Sequence, residues 1–468
     1  MKKEILKKLI KIVGPTNVIV EKSEMSKYLT EWRGVYKGEA GLIIKPKSAK
    51  EVSEILKIAY KTGTGVITQG GNTGLVGGQI SFNNKHIVLS LVKLNKVKEI
   101  NILDRSITVD SGITLLELQN ICIQNNILFP LSLASEGSCT IGGNIATNAG
   151  GVGVLYYGNT RELVLGLEVV LPNGKIINNL KSLIKDNTGY SLKNLFIGSE
   201  GTLGVITAAT LKTFPLPKEK YTAILKIDSP NNSIKVLRYI QENISTPLTA
   251  FELMNKFSIE FVKKNIPNTF SPFSNFTWVV LIEFSSIESN GNEKEKIQNI
   301  LNKLIKLGLI KDAAISNSIS QSEEMWKLRE SISEAQKIEG GSIKNDISIP
   351  IKFIDKFIKE GISISRKTIP KSRCVIFGHI GDGNIHFNIS QPIKIKKETF
   401  FKKEKILRKK LVKLTMDLGG SFSAEHGVGV TRKSDLKKYK KEELILMKDI
   451  KGSIDKKNIM NPGKIIDY

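Results

Sequence analysis

The chain has 468 residues, which predicts two or three domains because a domain typically takes about 150 residues. Hydrophobic residues make up 40% of the chain and charged residues 25%, which is typical of a globular protein and excludes collagen-like or low-complexity architecture. No uninterrupted apolar run reaches the roughly 18 residues of a membrane-spanning helix.

The net charge is +25, from 70 Lys and Arg against 45 Asp and Glu. Only nine of the basic residues are Arg, and the lysines are spread over the whole chain. A dedicated nucleic-acid binder more often clusters its basic residues and uses arginine forks for phosphate. We therefore expect no nucleic-acid partner and attribute the charge to compositional bias, with attraction of anionic ligands as a side effect. A basic nucleic-acid- or membrane-binding module is the alternative from another class.

The three cysteines, Cys122, Cys139 and Cys374, are widely spaced and form no CxxC motif. This pattern favours a reducing compartment, without a disulfide framework or a cysteine zinc site. Charges interrupt the N-terminal apolar stretches, which is not typical of a signal peptide, so we expect a cytoplasmic protein. The apolar residues of segment 5–13 predict a short amphipathic helix. This helix either docks on its own protein, which we favour, or makes a peripheral contact with the inner membrane.

The first 216 residues combine strands, helices and glycine-rich loops. Ser48 and Glu51 form a capping box that begins a helix ending at Gly63. Asn173-Gly174 predicts the turn of a hairpin. A further helix is predicted over 114–125, and the predicted strands are 41–45, 86–91, 107–110, 163–171 and 175–177.

Pro215 and Pro217 indicate a domain boundary, because the composition and the pattern of predicted elements change after them. Glycine becomes rarer, and strands alternate with helices as in an α+β domain. The predicted strands here are 221–227 and 276–284, and the predicted helices are 232–242, 293–307, 398–418 and 434–450.

Three glycine-rich segments, 69–78, 137–151 and 198–204, lie in the first domain. Such loops present successive backbone N–H groups at close range, which suits a pyrophosphate. None of them contains Lys or Arg, so amide dipoles rather than ion pairs would hold the phosphate. The motifs GxGxxG, GxxxxGK[ST], HExxH and GxSxG are absent, which argues against the enzyme classes that they mark. We therefore expect a large phosphate-containing cofactor bound in another way.

Two of the four histidines, His379 and His386, flank Asp382-Gly383, which predicts a two-residue hairpin turn. Counting outward from this turn places the two histidines directly opposite each other, with Cβ atoms about 5 Å apart on one sheet face. Asn388 would share that face, and the residues at 387 and 389 would point to a core on the other side. The pair therefore predicts joint coordination of one metal ion.

A third histidine follows in Glu425-His426, so that three histidines lie within 48 residues. Two histidines and one carboxylate leave coordination positions for a substrate, as in catalytic zinc sites. The remaining histidine could then act as a base. Three hydrogen-bonded structural histidines are the alternative interpretation.

Arg329 and Ser333 are four residues apart in a predicted helix and would share a face. Arg329 could bind a carboxylate through two parallel hydrogen bonds, and Lys344 could add a point charge. Taken alone, these residues are more typical of a solvated surface.

Together these motifs resemble the FAD-dependent D-2-hydroxyacid dehydrogenases of the vanillyl-alcohol oxidase flavoprotein superfamily, with the strongest likeness to members that act on D-2-hydroxyglutarate. The resemblance covers nearly the whole chain. The segments that carry it are 69–78, 137–151, 185–190, 196–206, 251–254, 326–333, 378–386, 423–429 and 461–464.

The resemblance implies an α+β fold. A two-subdomain FAD-binding domain of the vanillyl-alcohol oxidase type would span 1–216, and an α+β substrate (cap) domain with an antiparallel sheet would span 217–424. The C-terminal segment 425–468 would return to the FAD-binding domain. FAD would be non-covalent, because the first glycine loop lacks the histidine that carries the flavin in covalently flavinylated members. The implied FAD contacts are Gly70, Gly71, Asn72, Thr73, Gly74, Ser138, Thr140, Gly142, Gly143, Asn144, Thr147, Asn148, Glu200, Gly201, Gly204, Ile206 and Asn461.

The resemblance also implies roles in the second domain and in the C-terminal segment. His379, His386 and Glu425 match ligands of a divalent metal, expected to be zinc, and His426 matches the general base. The implied substrate contacts are Arg329, Ser333, Lys344 and Asn388, with Ser333 standing where relatives carry Thr and keeping the hydroxyl.

The implied reaction is oxidation of a D-2-hydroxyacid to the 2-oxoacid, with hydride transfer to the flavin. D-2-hydroxyglutarate is the expected substrate, and D-lactate, D-malate and glycolate are its rivals. Since no nicotinamide fingerprint is present, the electrons would leave to a quinone, an electron-transfer flavoprotein or a cytochrome. A non-redox flavoprotein, such as the related ether-lipid synthases, is the alternative that the metal constellation argues against.

Overall fold

The computed structural model describes residues 3–289 and 291–468; residues 1 and 2, with which the predicted first domain begins, and residue 290 lie outside the described residues. The strands, in chain order, are β1 (Val18–Ile19), β2 (Leu42–Ile44), β3 (Val66–Gln69), β4 (Ile87–Ser90), β5 (Val97–Asn101), β6 (Ser106–Asp110), β7 (Ile127–Leu128), β8 (Val164–Val170), β9 (Ile176–Asn179), β10 (Val205–Lys212), β11 (Phe214–Pro215), β12 (Glu219–Ile227), β13 (Leu248–Asn255), β14 (Trp278–Ser286), β15 (Asp312–Ile315), β16 (Ser342–Ile343), β17 (Asp346–Ser348), β18 (Arg373–His379) and β19 (Asn384–Ser390).

The α-helices, in chain order, are α1 (Lys3–Val13), α2 (Lys22–Leu29), α3 (Ala49–Thr62), α4 (Leu115–Gln124), α5 (Ile141–Thr147), α6 (Val154–Tyr157), α7 (Thr160–Leu163), α8 (Lys193–Phe196), α9 (Pro230–Asn243), α10 (Lys256–Asn265), α11 (Asn292–Lys306), α12 (Ile319–Glu330), α13 (Ile332–Ile338), α14 (Ile354–Thr368), α15 (Lys397–Phe401), α16 (Glu404–Asp417), α17 (Lys433–Tyr439) and α18 (Lys441–Ile454). Short 3₁₀ helices span Pro15–Asn17 and Ile351–Phe353. Within the described residues, no helix is long and apolar enough to cross a bilayer.

The chain divides into two compact units. Unit 1 takes the residues up to Gly150, then Gly158–Pro215 and Glu425–Tyr468, and unit 2 takes Gly151–Tyr157 and Leu216–Ala424. The boundary after residue 215 lies one residue before the expected one, and the C-terminal segment groups with unit 1. The seven residues 151–157 differ from expectation, since they group with unit 2, where α6 packs on β13.

Besides the short pair of β7 and β11, the described residues of unit 1 form two larger, separate sheets, as expected for two subdomains. The first has the strand order β1-β2-β4-β3, with β2, β4 and β3 parallel. Helices α1 and α3 cover it, and α1 buries Leu9 and Val13 in the shared core. The amphipathic N-terminal helix is therefore confirmed, and it docks on its own protein. Ser48 accepts a hydrogen bond from the Glu51 N–H, and Gly63 ends α3 in a left-handed conformation, as the capping signals predicted.

The second sheet of unit 1 is antiparallel, with the strand order β5-β6-β10-β8-β9. The predicted hairpin of β8 and β9 is present, and its turn is closed by a 2.9 Å hydrogen bond from the Leu171 N–H to the Lys175 oxygen. Gly174 takes a positive φ of 86° in this turn, which glycine adopts without strain.

Unit 2 is built on an eight-stranded antiparallel sheet with the order β15-β12-β14-β13-β18-β19-β16, and β17 also pairs with β19. Its strands are buried on both faces, because alternate side chains enter two different apolar cores. Phe387 and Ile389 lie in one core, as predicted, and Val375 and Phe377 lie in the other. The antiparallel sheet expected in the second domain is confirmed.

Three predicted helices are broken in the structure. The segment 398–418 forms α15 and α16, and 434–450 forms α17 and α18, with Lys440 leaving helical geometry at φ −128° and ψ 50°. The predicted helix of Arg329 and Ser333 is split at Ser331 into α12 and α13. Lysines continue through the first two breaks, and the third is at a serine without Gly or Pro beside it, so local propensity alone does not locate the breaks.

A buried ion pair anchors the C-terminal segment of unit 1. The Lys451 ammonium donates to the backbone oxygens of Thr202 and Met460 at 2.8 Å and to the Asp455 carboxylate. Asp455 in turn accepts the N–H groups of Ile459 and Met460. Both charges are thereby compensated by several hydrogen bonds, which a buried pair requires.

The substitution Asp455→Ala should lower the free energy of unfolding of unit 1 by about 3–5 kcal/mol, because it leaves the Lys451 charge buried without its counter-ion. Urea unfolding followed by circular dichroism measures the change. Asp449→Asn, on the exposed face of the same helix α18, is the matched control and should leave the unfolding curve unchanged. An equally small effect of both substitutions would contradict the anchoring role.

Candidate active site

Two of the glycine segments lie directly against each other in unit 1. A Cβ atom on Gly71 would lie 1.8 Å from the backbone oxygen of Ser138, and one on Gly70 would lie 2.2 Å from the Thr140 hydroxyl. A Cβ on Gly142 would lie 2.5 Å from the Ser111 Cβ. These glycines are therefore required because neighbouring atoms lie too close for a Cβ atom, and not because of turn conformation.

Buried polar atoms collect around the same segments. Gln69 Oε1, Asn72 Oδ1, Ser111 Oγ and Thr140 Oγ1 have no hydrogen-bond partner among the described residues. Buried polar atoms in native proteins are nearly always satisfied, so such a cluster indicates a polar ligand. Together with the exposed amides that the glycines allow, these residues fit the phosphates and polar rings of FAD.

Several predicted FAD contacts also hold the loops in place. The Asn72 amide donates to the Lys27 and Thr30 oxygens, and Asn148 Oδ1 accepts the Arg161 N–H. Asn461 joins β3 to the loop after α8, since it accepts the Thr68 N–H and donates to the Glu200 oxygen at 2.6 Å. The other predicted contacts lie in the loop after β3 (Thr73, Gly74), in α5 (Gly143, Asn144, Thr147), in the loop before β10 (Gly201, Gly204) and in β10 (Ile206).

Glu200 anchors the segment that carries a predicted metal ligand, Glu425, and the predicted general base, His426. Its buried carboxylate accepts the N–H groups of Val428 at 2.7 Å and Gly429 at 2.8 Å. Burial raises the pKa of this carboxyl, and the two N–H groups act in the opposite direction. Glu425 and His426, which precede these residues in an irregular, half-buried stretch of unit 1, are thus tied to the FAD-binding unit.

The two hairpin histidines share one sheet face in unit 2, but the predicted register is wrong. β18 and β19 are joined by a four-residue turn, and His386 pairs with Phe377 rather than with His379. The slip is two residues, which preserves the face of every side chain. His379 and His386 are therefore diagonal neighbours, with ring centroids 5.7 Å apart.

His379 is oriented by a carboxylate to which the sequence analysis assigned no role. Glu252 lies directly opposite His379 in the β13–β18 pair, and its Oε1 is 2.6 Å from His379 Nδ1. Burial alone would raise the pKa of Glu252, but the charges and hydrogen bonds of His379 and Arg329 outweigh it and lower the pKa to about 2. An ionised carboxylate only accepts, so His379 donates from Nδ1, and Nε2 is then the ring nitrogen whose lone pair can bind a metal ion.

His386 has a similar neighbour. Asp346 pairs with it across β17 and β19, and the Asp346 Oδ1 lies 3.6 Å from His386 Nδ1. Asp346 also accepts a hydrogen bond from the Asn384 amide at 2.9 Å. Each predicted metal-binding histidine of unit 2 thus has a buried carboxylate close to its Nδ1 atom.

Arg329 is buried beside the same cluster. Its Nε donates to Glu252 Oε2 at 2.7 Å, and its guanidinium lies 4.9 Å from the centroid of the Phe377 ring. Ser333, in contrast, is exposed at the start of α13, because the break at Ser331 ends the helix on which the two were expected to share a face.

The two remaining predicted substrate contacts are Asn388, on strand β19, and Lys344, in the short connection between two strands. Asn388, on β19, donates to Gln336 Oε1 and accepts the Asn345 N–H, so its side chain is held rigidly in the buried face. Lys344 is half-buried between β16 and β17, and its backbone oxygen accepts a hydrogen bond from Arg408.

The sequence contained a signal for Glu252. It is a single charged residue in the middle of an apolar strand, and such residues are almost never fully buried unless they are paired. Asp346 carried less signal, because it follows Lys344 and Asn345 in a polar stretch that resembles a solvated loop.

Two family models match the chain. Residues 40–179 match the FAD binding domain, and residues 216–465 match the C-terminal domain of FAD linked oxidases.

Curated relatives match over almost the entire chain. It is 35% identical to D-2-hydroxyglutarate dehydrogenase, mitochondrial, of Rattus norvegicus, over 97% of this chain and 83% of that protein. It is 33% identical to D-2-hydroxyglutarate dehydrogenase of Stutzerimonas stutzeri, over 98% of both chains. The Xanthomonas citri enzyme of the same name is 34% identical, over 96% of this chain and 93% of that protein.

Solved structures share the fold at low sequence identity. A substrate-bound p-cresol methylhydroxylase has a TM-score of 0.76 and 16% identity, with coverage of 99% of this chain and 96% of that one. An alkyldihydroxyacetonephosphate synthase has a TM-score of 0.75 and 17% identity, over 99% of this chain and 85% of that one. These likenesses support the expected vanillyl-alcohol-oxidase-type fold.

The substitution Gly71→Ala should weaken FAD binding about 10- to 100-fold, because the added methyl group forces the two glycine segments apart at a cost of about 1–3 kcal/mol. Flavin absorbance per protein after purification and titration of the apoprotein with FAD measure the effect. Gly137→Ala is the matched control, since its Cβ would meet only Leu116, at 3.9 Å. Equal FAD affinity in both variants would contradict a cofactor at this contact.

Proposed function

Since the chain belongs to the FAD-dependent D-2-hydroxyacid dehydrogenases, and is thus an FAD-linked enzyme that oxidises a D-2-hydroxyacid, we propose that its substrate is D-2-hydroxyglutarate. The observation that carries this proposal is Arg329, a buried guanidinium on the sheet face of the two histidines. A guanidinium is suited to two-pronged recognition of a second carboxylate, which D-lactate and glycolate lack. The curated relatives of the same name support the choice.

We propose that His379 and His386 bind a divalent metal, zinc in the first instance, and that Glu425 is the third ligand. Two imidazoles on one sheet face, one with its tautomer set by Glu252, fit a zinc site. Glu425 is proposed from its place beside His426 in the sequence and from the family resemblance. When bound, such a metal lowers the pKa of a coordinated hydroxyl group.

His426 is proposed as the general base that removes the proton from the substrate hydroxyl, which typically contributes about 10²- to 10⁴-fold to a rate. Arg329 and Lys344 would hold the carboxylate remote from the reacting carbon, and Asn388 and Ser333 would supply hydrogen bonds. The flavin, when bound, accepts the hydride from C2 of the hydroxyacid.

The reduced cofactor must pass its electrons to a second protein or a small carrier. We propose a quinone, an electron-transfer flavoprotein or a cytochrome, since the chain carries no nicotinamide-binding fingerprint.

The substrate proposal predicts the order in which hydroxyacids bleach the flavin absorbance under anaerobic conditions. D-2-hydroxyglutarate should reduce the flavin with the highest kcat/KM, ahead of D-malate, D-lactate and glycolate. Arg329→Lys should lower kcat/KM for D-2-hydroxyglutarate by about 10- to 100-fold, the equivalent of one charge-assisted hydrogen bond, and lower it less for D-lactate. Faster reduction by D-lactate than by D-2-hydroxyglutarate would refute the substrate assignment.

Removal of the metal should abolish most flavin reduction without releasing FAD, because the proposed ligands lie outside the glycine segments. Dialysis against a chelator followed by zinc addition tests this, with bound metal measured by mass spectrometry. His386→Ala should lose metal and turnover and keep its flavin absorbance. His86→Ala, a histidine of unit 1, is the control and should keep both. Full activity of metal-free wild-type protein would rule out the metal proposal.

A further inference from the structure

Glu252 has no exposed surface and lies between two residues with separate proposed roles. We propose that Glu252 is a positioning residue, whose two carboxylate oxygens hold the metal ligand His379 and the substrate-binding Arg329. Metal affinity and recognition of the second substrate carboxylate then depend on one side chain. This inference rests on the proposed function, which supplies the metal and the dicarboxylate.

The first oxygen sets the tautomer and the direction of His379. Glu252 and His379 are directly opposite residues of antiparallel strands, so their side chains leave the same face of the sheet. The 2.6 Å contact from Nδ1 directs Nε2 away from the carboxylate. A carboxylate in this position also makes an imidazole a more basic ligand.

The second oxygen fixes the guanidinium of Arg329. The bond of 2.7 Å uses Nε, and the Phe377 ring, 4.9 Å from the guanidinium carbon, restricts the tilt of its plane. The terminal Nη groups, which form the edge suited to a two-pronged contact with carboxylate, are then oriented without using the Nε donor.

One carboxylate serves both neighbours because it offers two acceptor oxygens. An amide of the same shape offers one acceptor and one NH₂ donor, and a donor cannot satisfy the Nδ1–H of His379 or the Nε–H of Arg329. Glu252→Gln therefore disturbs at least one neighbour while preserving side-chain volume.

The same sheet face supplies a matched control. Glu283, on β14, is also buried, and it accepts a 2.7 Å hydrogen bond from the indole of Trp326 on α12, the helix that carries Arg329. Glu283→Gln removes a buried carboxylate charge from the same face and retains an acceptor for the indole.

The experiment compares Glu252→Gln, Glu283→Gln and wild-type protein, all with FAD bound. Zinc affinity, measured on metal-depleted protein by competition with a chromogenic chelator, should fall about 10- to 100-fold in Glu252→Gln, as is typical for loss of a carboxylate behind a metal-binding histidine. At saturating zinc, the KM ratio of D-2-hydroxyglutarate to D-lactate should also rise. Both quantities should stay at the wild-type value in Glu283→Gln.

Wild-type zinc affinity together with a wild-type KM ratio in Glu252→Gln would overturn the inference. If that variant does not fold, histidine ¹⁵N NMR on wild-type protein decides, because the chain has only four histidines. His379 should carry its proton on Nδ1 in the metal-free protein, and an Nε2–H tautomer would overturn the proposal. Wild-type protein that neither binds zinc nor is reduced by any hydroxyacid would instead contradict the proposed function itself, and with it the role of Glu252.

Discussion

A fully buried carboxylate between an imidazole and a guanidinium is the interaction on which the polar cluster of unit 2 depends. Glu252 is stable as an anion in an apolar sheet only because His379 and Arg329 both donate to it. Their positions follow from strand pairing on one side and from α12 packing on the other. The apolar cores on both faces of the sheet therefore maintain the geometry of a polar cluster that could not form in a more mobile region.

In unit 1, the expected contacts of the cofactor come from glycine segments rather than from a buried charge cluster. These segments bring backbone against backbone, as Gly71 and Ser138 show, and leave buried hydroxyl and amide oxygens for the cofactor. The buried charged side chains described in this unit stabilise the backbone. Glu200 holds the backbone after His426, and Lys451 with Asp455 holds the end of the chain. In unit 1, neutral polar groups are thus the expected contacts of the cofactor, whereas buried charges hold segments of the backbone in place.

Much of this architecture could be predicted from the sequence, because local signals and tertiary packing agree there. The capping residues of α3, the β8–β9 hairpin and the inward face of Phe387 and Ile389 follow from rules that involve only near neighbours. The β18–β19 register could not be predicted in the same way. The strands are joined by the four residues 380–383 rather than by two, and Gly383 takes a positive φ at the end of this turn. The prediction that the two histidines share a sheet face is still correct, because the register differs by an even number of residues.

The contacts between the residues of the candidate site were harder to predict than the identity of those residues. Arg329 and Ser333 were expected on one helical face, but no glycine or proline marks the break at Ser331. Glu252 was visible only as a charge in an apolar strand, and its partners come from segments 77 and 127 residues away. Pairing over such distances depends on the whole sheet, which a local pattern does not encode.

The return of the last 44 residues to unit 1 also affects how the protein is made. Synthesis runs from the N-terminus, so unit 2, whose residues end at Ala424, is complete on the ribosome before unit 1 receives its final segment. Met460, which pairs with Val66 and is fully buried in the first core, can reach its place only after unit 2 has been synthesised. The FAD-binding unit therefore receives its last segment only after all of unit 2 has been synthesised, although its first strands precede unit 2 in the chain.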